Sequence, residues 1–131
     1  MSTLDAMSER EARRVLVVDD DMAVRDALEV VLRALGYAVD LVSSGAAALA
    51  RLEQEPYDVV ITDLLMPGMS GWVVLEEVRR RHPRVPVVVI TGAPLSLTDA
   101  RLRQPGVALV HKPVEQRVLE EALARVFADL A

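Results

Sequence analysis

Three strand-like stretches rich in Val and Ile are apolar without a break: residues 15–18 (VLVV), 59–61 (VVI) and 87–90 (VVVI). A strand with one wet face alternates apolar and polar side chains, so an unbroken β-branched run implies a strand covered on both faces. This constrains the fold more than any other feature. The runs sit within strand-like segments at 15–18, 38–42, 57–62, 85–91 and 107–110. Helical patterns fill the gaps. Val24, Ala27, Leu28, Val31, Leu32 and Leu35 recur at i, i+3 and i+4, and Gly36 supplies the stop. Residues 45–52 are Ala-rich, with Ser43 or Ser44 as N-cap. Residues 72–81 follow a glycine-bearing loop, and Val118, Leu119, Ala122, Leu123, Val126, Phe127 and Leu130 form one broad face of a last helix. Strand and helix alternating five times predict an α/β domain, a doubly wound parallel sheet with helices on both sides. The fourth helix has only residues 96–104 to occupy before Pro105-Gly106, so it is expected to be short, about two turns.

A length of 131 residues fits one domain. Hydrophobic residues are 52% of the chain and aromatics 3%, so the core is Val, Leu, Ala and Ile. Residues 1–13 carry few apolar groups and are expected to fray, leaving 14–131 as the domain. With no cysteine, disulfides and thiolate metal sites are excluded. No apolar run approaches the ~18 residues that span a bilayer, and the opening residues lack the apolar core of a secretory signal. A cytoplasmic location without membrane contact is the expectation. The net charge of −5 argues against direct nucleic-acid binding. The one basic run, Arg79 to Arg84, reads as charge at a helix C-terminus.

In a parallel sheet all strands end at one edge, and ligands bind outside those C-terminal ends. Strand one ends in Asp19-Asp20-Asp21, strand three in Asp63, strand four in Thr91-Gly92 and strand five at Lys112. Acids after strands are often only helix caps. That reading suits Asp21, which directly precedes a helical pattern. It fails for Asp63, because LLMPGMSG comes next and a helix begins only near Gly71. Two carboxylates ~4 Å apart repel by about 4 kcal/mol at an effective dielectric of 20, so the cluster needs compensation. Mg²⁺ provides it, taking one or two carboxylates with waters and phosphate oxygens.

Lys112 is the only lysine among fifteen cationic residues. It could be a snorkelling strand-end cation, but arginine serves every other cationic position of the chain. A compact ammonium on a flexible stem can instead pair with a carboxylate and then with a phosphoryl oxygen. Magnesium, a lysine and a threonine hydroxyl around a carboxylate make a phosphoryl-transfer site with the carboxylate as nucleophile. Among the remaining candidates, Trp72 is read as packing and His82 as solvated. His111 falls on the opposite strand face from Lys112 and is given a structural role.

VLVVDDD, VVITDLLMPGMSG, VVVITG and KP, in this order, resemble a bacterial two-component response-regulator receiver domain over about residues 14–130. The resemblance implies a flavodoxin-like fold with strand order 2-1-3-4-5. It implies Asp63 as phosphoacceptor, and Mg²⁺ held by Asp20, Asp63 and the backbone carbonyl of Leu65, with Asp19 acting through water. Thr91 and Lys112 would hold the phosphoryl group, and the Lys112–Pro113 bond would be cis. The donor would be the phosphohistidine of a sensor histidine kinase, and a downstream effector would read the switch.

Three features depart from the pattern. Leu109 stands where many receivers have Tyr or Phe three residues before the lysine, so the usual threonine–aromatic coupling is not expected. The fourth helix is short. Leu65 and Ala93 occupy the positions, two beyond Asp63 and two beyond Thr91, where receivers that lose phosphate quickly often carry polar groups, so a long-lived phosphoryl state is expected. Two rivals remain. One is a protein-binding module that works without phosphate, which Leu109 keeps alive. The other is an aspartyl-phosphate phosphohydrolase using Asp19 and Asp21, which the absence of a glycine-rich turn after the pair disfavours.

Overall fold

The structure is a computed structural model, and it describes residues 12–93 and 99–131. Ten elements succeed one another: β1 (Arg14–Val18), α1 (Met22–Ala34), β2 (Ala38–Val42), α2 (Gly45–Gln54), β3 (Val59–Asp63), α3 (Gly71–Arg81), β4 (Val87–Thr91), a 3₁₀ turn (Ala100–Arg103), β5 (Val107–His111) and α4 (Gln116–Asp129). All strands pair in parallel in the order β2-β1-β3-β4-β5, so the expected topology holds.

The side-chain period of two divides each strand between two cores. Leu16, Val18, Val60, Val87, Val89 and Val107 meet Leu49 and Leu52 of α2, Val74, Leu75 and Val78 of α3, and Leu102. Val15, Val17, Ile61, Val88, Ile90 and Val110 meet Leu28 and Leu32 of α1 and Leu119, Leu123 and Val126 of α4. The unbroken runs are therefore the strands covered on both faces, and every residue of β3 and β4 is buried. β2 lies at the sheet edge and is buried only at Val39. That is why its sequence, AVDLV, tolerates an aspartate.

Local signals set the helix ends. Asp21 caps α1, its carboxylate accepting from the N–H groups of Ala23 and Val24. Ser44 is the cap of α2, accepting from Ala47 N–H. Helix α1 stops in a Schellman turn: Gly36 sits at φ +96°, its N–H donates to Arg33 O, and Tyr37 N–H donates to Leu32 O. Arg79, Arg80 and Arg81 lie in the last turn of α3, as expected.

Two expectations need correction. Of the predicted fourth helix, residues 96–98 lie outside the described residues. The remainder forms a single 3₁₀ turn capped by Asp99, because Leu102 alone offers an apolar anchor before Pro105-Gly106 ends it. His82 is only partly solvated, with a side chain 23% exposed. Its Nε2 is buried with no hydrogen-bond partner and lies 3.5 Å from Glu53 Oε1, because α3 packs beside α2.

Candidate functional site

The sheet ladder runs on past the strand ends and fixes the residues that matter. Asp19 N–H donates to Val42 O, Leu64 N–H to Ile90 O and Lys112 N–H to Thr91 O. The backbones next to Asp19, Asp63 and Thr91 are thus held by the sheet itself. Asp63 is the last residue of β3, Thr91 the last of β4, and Lys112 comes directly after β5.

One ammonium serves two carboxylates. Lys112 Nζ lies 3.4 Å from Asp19 Oδ2 and 3.4 Å from Asp63 Oδ1. Asp19 is 1% exposed and Asp63 7%, so both carboxylates are largely removed from water. Asp63 Oδ1 also accepts from Leu64 N–H at 2.9 Å, and Asp19 Oδ1 accepts from Asp21 N–H at 2.9 Å. Burial pushes the Asp19 carboxyl above its ordinary range; the Asp21 N–H works against this, and the nearby Asp63 charge adds to it.

Carboxylate oxygens of Asp19, Asp20 and Asp63 lie within 4.8 Å of one another. Three carboxylates around one ammonium leave an excess of negative charge with oxygen donors, which matches a hard divalent cation. Asp21 stays outside the group because its carboxylate caps α1. Thr91 is fully buried at the edge of the site, and its Oγ1 accepts from Ala93 N–H at 3.0 Å. Leu65, two residues beyond Asp63, is 65% exposed, and its apolar side chain brings no polar group to the site. The Lys112–Pro113 bond is cis.

Two contributors were invisible to sequence reasoning. Gly71, the first residue of α3, packs straight onto the strand end: its N–H donates to Leu64 O, and a Cβ there would overlap Asp63 O and stand 2.7 Å from Leu64 Cα. The only signal was a glycine at the start of a helix where other residues do as well. Arg25, one turn into α1, reaches back so that its Nη1 donates to Asp19 O at 2.6 Å. In the sequence it looks like any exposed helical arginine. Leu109 is half-buried and packs against the core on the α2–α3 side of the sheet, while His111 is exposed at the end of β5. Trp72 packs against the same core beneath the Arg101 guanidinium, 3.6 Å from its ring centroid.

Fold and site together define a flavodoxin-like α/β domain with a buried acidic pocket and a lone ammonium at the C-terminal edge of its sheet. The chain belongs to the response regulator receiver domain family, whose profile matches residues 15–124. It is 40% identical over 116 residues to the response regulator protein FleR of Pseudomonas aeruginosa, covering 87% of this chain and 24% of that one. It is 34% identical over 113 residues to the DNA-binding transcriptional regulator NtrC of Escherichia coli, covering 86% of this chain and 24% of the relative. The chain therefore spans about a quarter of the length of these curated relatives. The crystal structure of response regulator TrrA of Thermotoga maritima in complex with Mg²⁺-BeF superimposes with a TM-score of 0.79 at 30% identity, covering 87% of this chain and 98% of that one. This is a receiver domain of two-component signalling, and its acidic pocket suits Mg²⁺. Among the described residues, no helix is long and apolar enough to cross a membrane.

Proposed function

We propose that the domain accepts a phosphoryl group on the Asp63 carboxylate, with the phosphohistidine of a sensor histidine kinase as donor. The observation that carries this reading is the shared ammonium, Lys112 Nζ at 3.4 Å from both Asp19 and Asp63. A carboxylate oxygen of Asp63 attacks phosphorus, a P–O bond forms, and the P–N bond to the donor imidazole breaks. The incoming group brings negative oxygens, so Lys112 exchanges carboxylate contacts for a phosphoryl contact, and the Thr91 hydroxyl turns toward it from the end of β4. Asp20, Asp63 and the backbone carbonyl of Leu65 would hold Mg²⁺, with Asp19 acting through water. The ion supplies charge neutralisation between the carboxylates and the arriving phosphoryl oxygens.

An open groove of about 380 Å³ runs beside the site, lined by Ala23, Val24, Ala27, Val31, Lys112 and Pro113 among others. Its walls are apolar, and Lys112 marks its end nearest the carboxylates. A donor histidine carried on an amphipathic helix of the kinase fits such a surface. Phosphorylation then biases a two-state equilibrium that a downstream effector reads. The domain is a signalling switch that assists its own phosphorylation, acting without membrane contact or direct nucleic-acid binding, in the cytoplasm.

Intact-mass measurement after incubation with Mg²⁺ and an acyl phosphate tests the proposal. The parent gains one phosphoryl group and Asp63→Asn gains none; an equal gain in both overturns the assignment of Asp63. One observation favours a second reading, binding without phosphate: Leu109, packed into the core, cannot swing as an exposed aromatic would. That reading predicts an affinity for the effector that phosphorylation leaves unchanged. The phosphohydrolase reading loses support because Asp21 is spent on capping α1.

A further inference from the structure

Arg25 is half-buried on α1, and among the described residues no carboxylate lies within ion-pair distance of its guanidinium. An arginine that gives up part of its hydration ordinarily gains a carboxylate in return. This one donates instead to Asp19 O, the carbonyl of the peptide that joins Asp19 to Asp20. Its charge therefore stands at the root of the two acids that β1 contributes to the pocket, next to a carboxylate cluster that Lys112 alone leaves under-compensated. Asp21, Asp26 and Glu29 are its acidic neighbours on the helix; Asp21 is engaged as the cap, Asp26 is exposed, and Glu29, one turn on, pairs with Arg33 at 3.1 Å.

We infer that Arg25 is a second counter-charge of the acidic pocket: from the Asp19 carbonyl it offsets the carboxylate charge when no metal is bound and opposes the entry of a metal cation. This rests on the proposed Mg²⁺ reading of the pocket. A single charge then has two opposite consequences. Removing it makes the metal-free fold less stable, because carboxylate repulsion is less balanced. It also makes Mg²⁺ bind more tightly, because the ion no longer enters against a neighbouring cation. A residue that merely straps down the Asp19 carbonyl behaves differently: its loss slackens the turn and weakens metal binding.

The test uses Arg25→Gln, which keeps an N–H donor and loses the charge, and Arg25→Lys, which keeps the charge. Calorimetric titration with MgCl₂ and urea unfolding without metal are run on both variants and the parent. The expected result is a roughly three- to tenfold tightening of Mg²⁺ binding in Arg25→Gln, together with a lower urea midpoint in the metal-free protein. Arg25→Lys stays within about twofold of the parent in affinity. The Arg25→Gln stability deficit closes when Mg²⁺ is saturating. Weaker or unchanged Mg²⁺ binding in Arg25→Gln overturns the inference and leaves Arg25 a strap. A parent that takes up no Mg²⁺ overturns the metal reading itself. In that case the metal-free arm still judges the charge balance: a deficit in Arg25→Gln but not in Arg25→Lys that shrinks as added salt screens the charges sustains it, and any other pattern ends it.

Discussion

Replacing Lys112 with methionine keeps most of the stem and deletes the charge. The Nζ lies 3.4 Å from one oxygen of Asp19 and 3.4 Å from one of Asp63. At an effective dielectric of 20, each contact supplies about 5 kcal/mol of attraction. The two carboxylates, with oxygens within 4.8 Å of each other, repel by about 3.5 kcal/mol on the same scale. Removing the ammonium thus converts a net attraction into a repulsion, offset only in part by Arg25, among groups that are nearly dry. Solvent reduces the raw swing, since the Lys112 side chain is 27% exposed, and the mutant no longer has to desolvate an ammonium. The expected loss is about 3 kcal/mol, near the lower end for breaking a buried ion pair. It would be read as a lower urea midpoint with unchanged slope, or as a melting temperature reduced by about 10 °C. The diagnostic feature is its dependence on conditions. The loss shrinks when Mg²⁺ replaces the missing charge, and it fades in acid as the carboxylates take up protons. A loss of equal size at neutral pH and in acid, with and without Mg²⁺, refutes the electrostatic reasoning and assigns Lys112 to stem packing.

The same geometry sets three further outcomes. Gly71→Ala drives a methyl group into the Asp63–Leu64 backbone and should cost about 3 kcal/mol; Gly92→Ala, where a Cβ meets nothing within 4 Å, should stay within about 0.5 kcal/mol of the parent by denaturant titration. Burial raises the Asp19 carboxyl above 3.8, so the folded chain holds that proton more tightly than the unfolded one, and stability falls as pH rises through the window above 3.8. Asp19→Asn should therefore be more stable than the parent at neutral pH without metal, with the two curves converging below the unfolded carboxyl range; a less stable variant at neutral pH contradicts this. Because Leu65 and Ala93 offer no polar group to orient an attacking water, the phosphoryl state should persist for minutes or longer, and a half-life of seconds by phosphoryl loss without any phosphatase would reject that expectation.

The sequence by itself determined the layered parallel architecture. Unbroken runs such as VVI and VVVI state that both strand faces are covered, and that information is local, carried by the side-chain period of two. It determined the caps for the same reason: Asp21, Ser44 and Gly36 act on backbone groups only two to five residues away. It also determined the membership of the pocket, because parallel strands all deliver their last residues to one edge, so Asp19, Asp63, Thr91 and Lys112 had to meet there. Tertiary structure alone decided contacts that join positions with no shared period. Which side of the sheet each helix covers fixed the burial of His82 Nε2 against α2, where the chain by itself suggested a solvated ring. The approach of α3 to the end of β3 gave Gly71 its role, and the reach of Arg25 back over the β1 turn gave the pocket a cation that no motif marks. Such contacts depend on the relative placement of packed elements, which is set by the sum of many side-chain volumes rather than by any one stretch of chain.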